Sequence, residues 1–339
     1  MTIVYREADG NLQTLAGKTI SVIGYGTKGR PAALNLRDMG VQVIIGGDKA
    51  DQANATLDDL AAESVAGAVQ ASQIILVMLP DELMTSLYIS QISPYLTRQH
   101  TLIFSSAYNI ASRFIEPPPF VDVGLIAPRT VGAKIRPRFS EDNTPFHNFV
   151  AVASDASGHA WDTVLAIALA LGALRGGAIE INFEQESELN LFIQQAILPA
   201  IHHVMMTAAE LLLNNGYPPE AAFTDLYLSG KFTEHMREAS QMGLLETLEN
   251  TTQTAQYGTY SRMERFNDLK MERLMEKVLE EIRNGSFAQE WSKEYADGSP
   301  RLKKLKKTYR DKDLWDLEQQ TLDMMAEPPG FDEFPPYEE

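Results

Sequence analysis

Apolar and polar positions follow two rhythms along this chain, and the rhythm changes near residue 181. From Lys18 to about Glu180, short apolar runs of four to seven residues alternate with helix-length segments. KTISVIGYG, VQVIIGG, QIILVMLP, TLIFSSA, DVGLIAP and NFVAVAS are rich in Val and Ile, the pattern of strands buried on both faces. Residues 30–39 and 81–87 are two of the helical stretches between them. This alternation predicts a mostly parallel sheet covered by helices. Past residue 182 the strand runs stop. EQESELNLFIQQAILPAIHHVMMTAAELLLNNG is apolar at helical spacing and ends at Asn-Gly, a helix stop. PPEAAFTDLYLSGKFTEHMREAS and NDLKMERLMEKVLEEIRNG continue the pattern, the latter also closing on Gly. The expected organisation is an α/β dinucleotide-binding domain of the Rossmann type over residues 1–181 and an all-α domain over 182–325. A tail follows over 326–339. That tail, with four prolines and five carboxylates in EPPGFDEFPPYEE, reads as a disordered acidic segment, or as a docking peptide through its Phe and Tyr.

Composition narrows the partners. With 339 residues, 44% hydrophobic and 22% charged, the chain has material for two packed domains. A net charge of −17 argues against nucleic acid and anionic membranes, which repel acidic proteins. No apolar run approaches a membrane span, and MTIVYREADG is too polar for a signal peptide. The basic run RLKKLKKTYR at 301–310 has helical spacing and reads as a solvated face. Zero cysteines exclude disulfides, thiolate nucleophiles and Cys-ligated metals, and suit a reducing cytoplasm.

The candidate chemistry begins at SVIGYGTKGR. Gly24, Gly26 and Gly29 follow a strand and open a helix, the context that turns a G-x-G-x-x-G string into a dinucleotide cradle rather than a glycine-rich bend. Gly24 permits the turn, Gly26 admits a pyrophosphate, and Gly29 lets helix and strand approach. Amide groups at the helix start then meet the phosphate charge. The next strand ends at Asp48, whose carboxylate suits ribose hydroxyls and repels a 2′-phosphate. Asp51 adds a second negative charge, while Lys49 argues the other way. NADH is therefore expected over NADPH, unless Asp48 is an ordinary loop residue. Tyr25, Thr27 and Lys28 in the loop, Leu79, Pro80 and Asp81 after the third run, Ser105 and Ser106 after the fourth, and Gly132 complete the expected cofactor contacts.

From GYGTKGRPAALNLRDMG onward the chain resembles the ketol-acid reductoisomerases of branched-chain amino-acid synthesis. LAGKTISVIGYG, VMLPDELMTSLY, YNI, VGLIAP, ALALG, FEQESELNLFIQQAIL, LLNNGYPPEAAF, TAQYGTY and EEIRNGSFAQEW follow that family's order and spacing over roughly residues 3–325. The resemblance implies a Rossmann domain followed by a knotted helical domain of the 6-phosphogluconate-dehydrogenase-like kind. It also implies the short form of the family and an interlocked homodimer or a higher homo-oligomer. Family members carry out a Mg²⁺-dependent alkyl migration and then reduce the resulting ketone with a nicotinamide.

The positions that support the migration are substituted. The family's Asp and Glu on the first metal-bearing helix become Asn190 and Gln194, and two Glu on the second become Asp225 and Ser229, each pair spaced i, i+4. One carboxylate of four is left. Two Mg²⁺ bring four positive charges and want anionic oxygens, which neutral amides do not supply, so no bound Mg²⁺ is expected. Ser106 replaces a His of the family, Arg129 a Lys, Thr252 a substrate-binding Ser and Gln256 a Glu. Asp48 and Asp51 replace its Arg and Ser phosphate contacts, again favouring NADH. His202 and His203 lie mid-helix, His147, His159 and His235 lack ligand spacing, and His100 reads as a surface residue.

Without a metal, a ketone needs another electrophilic partner, whereas a protonated imine carries its own positive charge. The leading expectation is a metal-independent, NADH-dependent reductase of a small-molecule C=N bond, with a cation-holding carboxylate at Asp225. Ser106, Tyr108, Arg129, Glu186, Asn190, Gln194, Asp225 and Thr252 are the pocket candidates. Each has a structural alternative: Tyr108 packs beside the cofactor, Ser106 bonds the cofactor, Arg129 forms an internal ion pair, and Glu186 orients its helix. A metal-free ketone or aldehyde reductase using Tyr108 or Ser106 as donor stays open. So do a non-catalytic NADH-binding subunit and, last, a retained reductoisomerase.

Overall fold

The computed structural model describes residues 2–140, 145–263, 265–266 and 270–325, so the expected acidic tail lies outside the described residues. Its strands are Val4–Tyr5 (β1), Thr19–Ile23 (β2), Gln42–Gly46 (β3), Ala61–Glu63 (β4), Ile74–Val77 (β5), Thr101–Phe104 (β6), Asp122–Pro128 (β7), Asn148–Ser154 (β8) and Ala178–Glu180 (β9). They form one sheet in the order β1-β9-β8-β7-β6-β5-β2-β3-β4. The stretch from β4 to β7 is parallel throughout, and its strand order turns back between β2 and β5. That is the doubly wound arrangement, which opens a crevice at the carboxyl ends of β2 and β5. β8 runs antiparallel to β7, and β1 closes the far edge antiparallel to β9.

Helices cover both faces, as the all-apolar strand runs require. They are Gly29–Asp38 (α1), Lys49–Leu57 (α2), Val65–Gln70 (α3), Asp81–Leu87 (α4), Tyr108–Ala111 (α5), Gly132–Ser140 (α6) and Ala160–Ala170 (α7), with Phe183–Phe192 (α8) following β9. On one face Val22, Leu76 and Ile103 pack under Ala33 and Leu36 of α1 and Val164 and Ile167 of α7. On the other, Ile23, Ile75, Leu102 and Phe104 pack under Val65 and Val69 of α3, Met84 of α4 and Phe183 of α8. Each fully buried Leu, Ile, Val or Phe contributes about 1.5–3 kcal/mol.

The compact units divide at Leu191 and Phe192 rather than at the expected residue 181. Phe183, Glu186 and Leu191 of α8 are buried in the first unit, so the opening turns of the first long helix belong to the sheet domain. The second unit is helical: Leu198–Asn214 (α9), Pro219–Phe223 (α10), Lys231–Met242 (α11), Leu244–Glu249 (α12), Gln253–Met263 (α13), Met271–Arg283 (α14), Ser286–Ala296 (α15), Pro300–Arg310 (α16) and Asp313–Met325 (α17). Phe223, Ala222 and Ala209 are buried there, and the Tyr227 hydroxyl donates to Glu318 of α17. The basic run forms α16, with its lysines exposed. Phe183–Asn214 is, among the described residues, the one helix long and apolar enough by length and composition to cross a membrane. Gln194, Gln195, His202 and His203 interrupt its apolar run.

Candidate active site

The loop between β2 and α1 is built for close approach. Gly24 sits at φ +91°, a conformation that excludes other residues at little strain, and its N–H donates to the Gly46 carbonyl at 2.9 Å. A Cβ on Gly29 would stand 1.9 Å from the Gly24 carbonyl oxygen, whereas one on Gly26 would meet nothing within 4 Å. The first glycine thus makes the turn, the last brings α1 against β2, and the middle one leaves room for a ligand. No side chain caps the first turn of α1, and a helix N-terminus left open in this way suits an anion such as a pyrophosphate. Thr27 and Lys28 are exposed along this loop, and Gly132 opens α6 beside the Thr27 carbonyl.

The Tyr25 hydroxyl donates to Asp58 at 2.7 Å. Asp58 also accepts from Arg30 Nε at 2.6 Å and Nη2 at 2.8 Å, and Arg37 reaches its backbone carbonyl. Sequence gave no signal for this buckle, because Asp58 lies 33 residues from Tyr25. The Arg30 guanidinium holds the Asp58 carboxyl down to about 2, below its usual 3.8. The stabilisation is therefore complete above pH 3.8 and is lost as pH falls through about 2. Arg30 is 56% exposed, so solvent limits the buckle to at most about 1 kcal/mol. Asp58→Asn is expected to leave the fold intact and to weaken NADH severalfold in equilibrium titration; unchanged affinity would show that the loop holds its shape without it.

Asp48 is more than a loop residue: its Oδ1 accepts from the Ala50 and Asp51 N–H groups, each at 2.9 Å, and caps α2. Asp48 and Lys49 are exposed, while Asp51 is half-buried. Burial raises the Asp51 carboxyl; the Tyr25 N–H opposes this and the neighbouring Asp48 charge adds to it.

A second group of side chains gathers at the carboxyl ends of β5, β6 and β7. Leu79 and Pro80 lead into α4, which Asp81 opens. The Ser106 hydroxyl accepts from the Tyr108 N–H at 3.3 Å. Ser105 is buried, and its Oγ has no hydrogen-bond partner among the described residues. The same is true of the Tyr108 hydroxyl, whose ring packs edge-on to Phe114. Burial, then the Asp81 charge, pushes the Tyr108 phenol up to about 12. Glu186 is 1% exposed and spends both oxygens internally, on the Ala107 N–H at 3.0 Å and on Arg129 Nη2 at 2.7 Å. Arg129 further donates to the Ala127 carbonyl and lies over the Phe149 ring. The structure thus makes Arg129 and Glu186 an internal ion pair that ties α5 and α8 to the end of β7.

The remaining candidates lie on separate elements. Asn190 lies on α8, whereas Gln194, Asp225 and Thr252 belong to the second unit. Gln194 and Asp225 fall in π-helical turns, Ile193–Ile197 and Thr224–Leu228. The Asp225 carboxyl is 83% exposed and 3.6 Å from Lys231 Nζ. Thr252 is exposed, and its Oγ1 accepts from the Ala255 N–H; Gln256 donates to the carbonyls of Glu249 and Thr251. His100 is 7% exposed rather than on the surface: its Nδ1 accepts from the Thr97 N–H, and burial lowers its pKa. Among the described residues no three His, Asp or Glu form a cluster able to hold a metal ion. Two amides, a hydroxyl and one carboxylate already beside a lysine do not fit a pair of Mg²⁺ ions.

Comparison with known proteins covers nearly the whole chain. The family model of the acetohydroxy acid isomeroreductase NADPH-binding domain matches residues 14–177, and that of the ketol-acid reductoisomerase C-terminal domain matches residues 183–327. The chain is 35% identical over 305 residues to a ketol-acid reductoisomerase (NADP(+)) of Sulfurisphaera tokodaii, covering 89% of this chain and 91% of the relative. It is 34% identical over 330 residues to a ketol-acid reductoisomerase (NADP(+)) of Methanopyrus kandleri, covering 96% and 99%. The solved structure of an NADH-preferring ketol-acid reductoisomerase from an uncultured archean superposes with a TM-score of 0.88 at 28% identity, over 96% of this chain and 100% of that one.

Proposed function

The chain belongs to the ketol-acid reductoisomerase family, and on that premise we propose that it is an NADH-dependent, metal-independent reductase of a C=N bond, acting on a cyclic imine of a specialised biosynthetic pathway. What supports this reading is the residues at the positions where the resemblance places the family's Mg²⁺ ligands: Asn190, Gln194, Asp225 and Ser229. Loss of the ions removes the Lewis acid that drives alkyl migration and polarises a ketone. An iminium ion needs no such help, since its charge is already on the reacting group.

The dinucleotide, by contrast, fits the residues present. The Gly24–Gly29 loop and the first turn of α1 would hold its pyrophosphate, and Asp48 and Asp51 would face its adenosine ribose. When bound, the reduced nicotinamide supplies a hydride. Two carboxylates at the ribose end repel a 2′-phosphate, so kcat/KM is expected to favour NADH over NADPH by at least about tenfold. Steady-state rates with the two cofactors check this, and a preference for NADPH would contradict it. Replacing Asp48 and Asp51 with Arg and Ser should move the ratio toward NADPH.

Glu186 links the Ala107 N–H, just past β6, to Arg129 at the end of β7. A homodimer or higher homo-oligomer is part of the same proposal. Leu198, Ile201, Val204 and Leu211 of α9 and Leu244 and Leu245 of α12 are each more than one third exposed, apolar surface suited to a second copy of the chain. The net charge of −17 turns away phosphate backbones, and the lack of cysteine suits the cytoplasm.

The experiment is NADH oxidation by the full-length protein with matched pairs of cyclic imines and ketones, in chelator. Turnover of an imine but not of its ketone partner supports the proposal. Turnover of the ketone alone makes the protein a carbonyl reductase, and NADH binding without any turnover makes it a non-catalytic subunit.

A further inference from the structure

Neither the basic helix α16 nor the acidic segment after α17 has a part in the reductase reading. We propose that residues 326–339 dock on α16 of the same chain, along a stripe made by Leu302, Leu305 and Tyr309.

α16 presents two parallel stripes. Leu302, Leu305 and Tyr309 stand at i, i+3 and i+7, on one helix face. They are 36%, 46% and 56% exposed, so the rest of the described chain leaves them largely uncovered. Lys303, Lys306 and Arg310 repeat the same spacing one residue on and run beside them, while Lys304 and Lys307 occupy the far side. Arg301 is spent on Glu290, and the Arg310 guanidinium lies over the Trp315 ring. Among the described residues, no carboxylate pairs with Lys303 or Lys306. A protein of net charge −17 thus keeps a lysine edge beside an apolar stripe with nothing described on either.

The segment carries the complement. Glu327, Asp332, Glu333, Glu338 and Glu339 are acidic, and Phe331, Phe334 and Tyr337 recur at every third residue. Pro328, Pro329, Pro335 and Pro336 favour the polyproline II helix, whose three-residue turn sets the three rings on one face. Successive rings then stand about 9 Å apart. Leu302 and Tyr309 are about 10 Å apart along α16, so two rings span the stripe. Asp332 and Glu333 fall between those rings, where the lysine edge runs.

Reach allows the return. Only Asp311 and Lys312 separate α16 from α17, and α17 is about 20 Å long. Residues 326–339 extend to about 46 Å, enough to come back over the length of α17 and lie along α16. Residues 328–339 also lie past the stretch that the reductoisomerase C-terminal domain model matches, so family membership leaves them without a role. Docked, the segment withholds α16 from other anionic partners, in keeping with the acidity of the whole chain.

The chain has no cysteine, so two introduced ones carry spin labels without background. Thr308→Cys and Glu339→Cys, in full-length protein diluted into unlabelled copies, report the distance from α16 to the segment within one chain by pulsed dipolar spectroscopy. A docked segment gives a narrow distribution, whereas a free one of this length spreads over about 20 Å. The narrow peak is expected at low ionic strength and should be lost in 1 M salt, where the screening length falls to about 3 Å. Asp332→Lys, Glu333→Lys and Glu338→Lys together leave α16 untouched and should lose it too. Lys303→Glu with Lys306→Glu should do the same, and combining the two sets should restore it. Lys304→Glu with Lys307→Glu makes an equal charge change on the far side and should keep the peak. A broad distribution in the wild type would overturn the proposal. So would a narrow one indifferent to the charge reversals, or one lost equally to both lysine pairs. A peak that disappears on dilution into unlabelled copies would put the segment on a second copy and overturn docking within one chain.

Discussion

Gly29→Ala is expected to lower the thermal midpoint by roughly 6–12 °C and to abolish NADH binding, whereas Gly26→Ala should leave the midpoint in place and cost NADH affinity alone. The two glycines are three residues apart on one loop, yet a methyl group meets opposite surroundings. At Gly29 it would stand 1.9 Å from the Gly24 carbonyl oxygen, a backbone atom that moves only if α1 leaves β2. Overpacking of that kind costs about 3 kcal/mol or more, and separating helix from strand dissolves the amide cluster that meets the phosphates. At Gly26 the methyl enters open space, so the protein alone does not register it. Differential scanning fluorimetry with and without NADH measures both quantities. If Gly26→Ala bound NADH as the wild type does, the loop would be a turn and not a cradle.

Glu186→Gln should destabilise the first unit by about 3 kcal/mol, the lower part of the range for breaking a buried ion pair. The carboxylate is 1% exposed and accepts from both Ala107 and Arg129, so an amide there turns donor hydrogens toward the guanidinium. The Arg129 side chain keeps 25% exposure, and water reaching it softens the loss. Adding Arg129→Met should recover part of the stability, because the unpaired charge is then gone. Chemical denaturation of the two single variants and the double variant closes the cycle. A loss below about 0.5 kcal/mol in Glu186→Gln would mean that the pair contributes little to the fold.

Much of the sheet was legible because each long strand is a short apolar run with no alternation, which only burial on both faces explains. β1, β4 and β9 were not, since two or three residues carry no periodicity. In the glycine loop the turn at Gly24 and the close helix–strand approach at Gly29 were legible. What escaped was contact between distant residues: Asp58 beneath Tyr25, and Glu186 against Arg129, 57 positions apart. The division of the units escaped because α8 reads as the start of one long helix, while its apolar side chains are buried with the sheet. Local hydrogen-bond register is equally silent in sequence, and so the π turns at Gln194 and Asp225 went unseen. His100 reads as a surface residue because it stands just before a strand; its ring instead turns in to accept from the Thr97 N–H.

The proposal rests on the electrostatics of Asn190, Gln194, Asp225 and Ser229, which carry one carboxylate between them. Isothermal titration of Mg²⁺ into the full-length protein with NADH bound, paired with an assay on acetolactate, examines this directly. The account predicts no stoichiometric uptake and no Mg²⁺-dependent turnover. Tight uptake of two ions together with conversion of acetolactate would contradict it and return the protein to reductoisomerase chemistry.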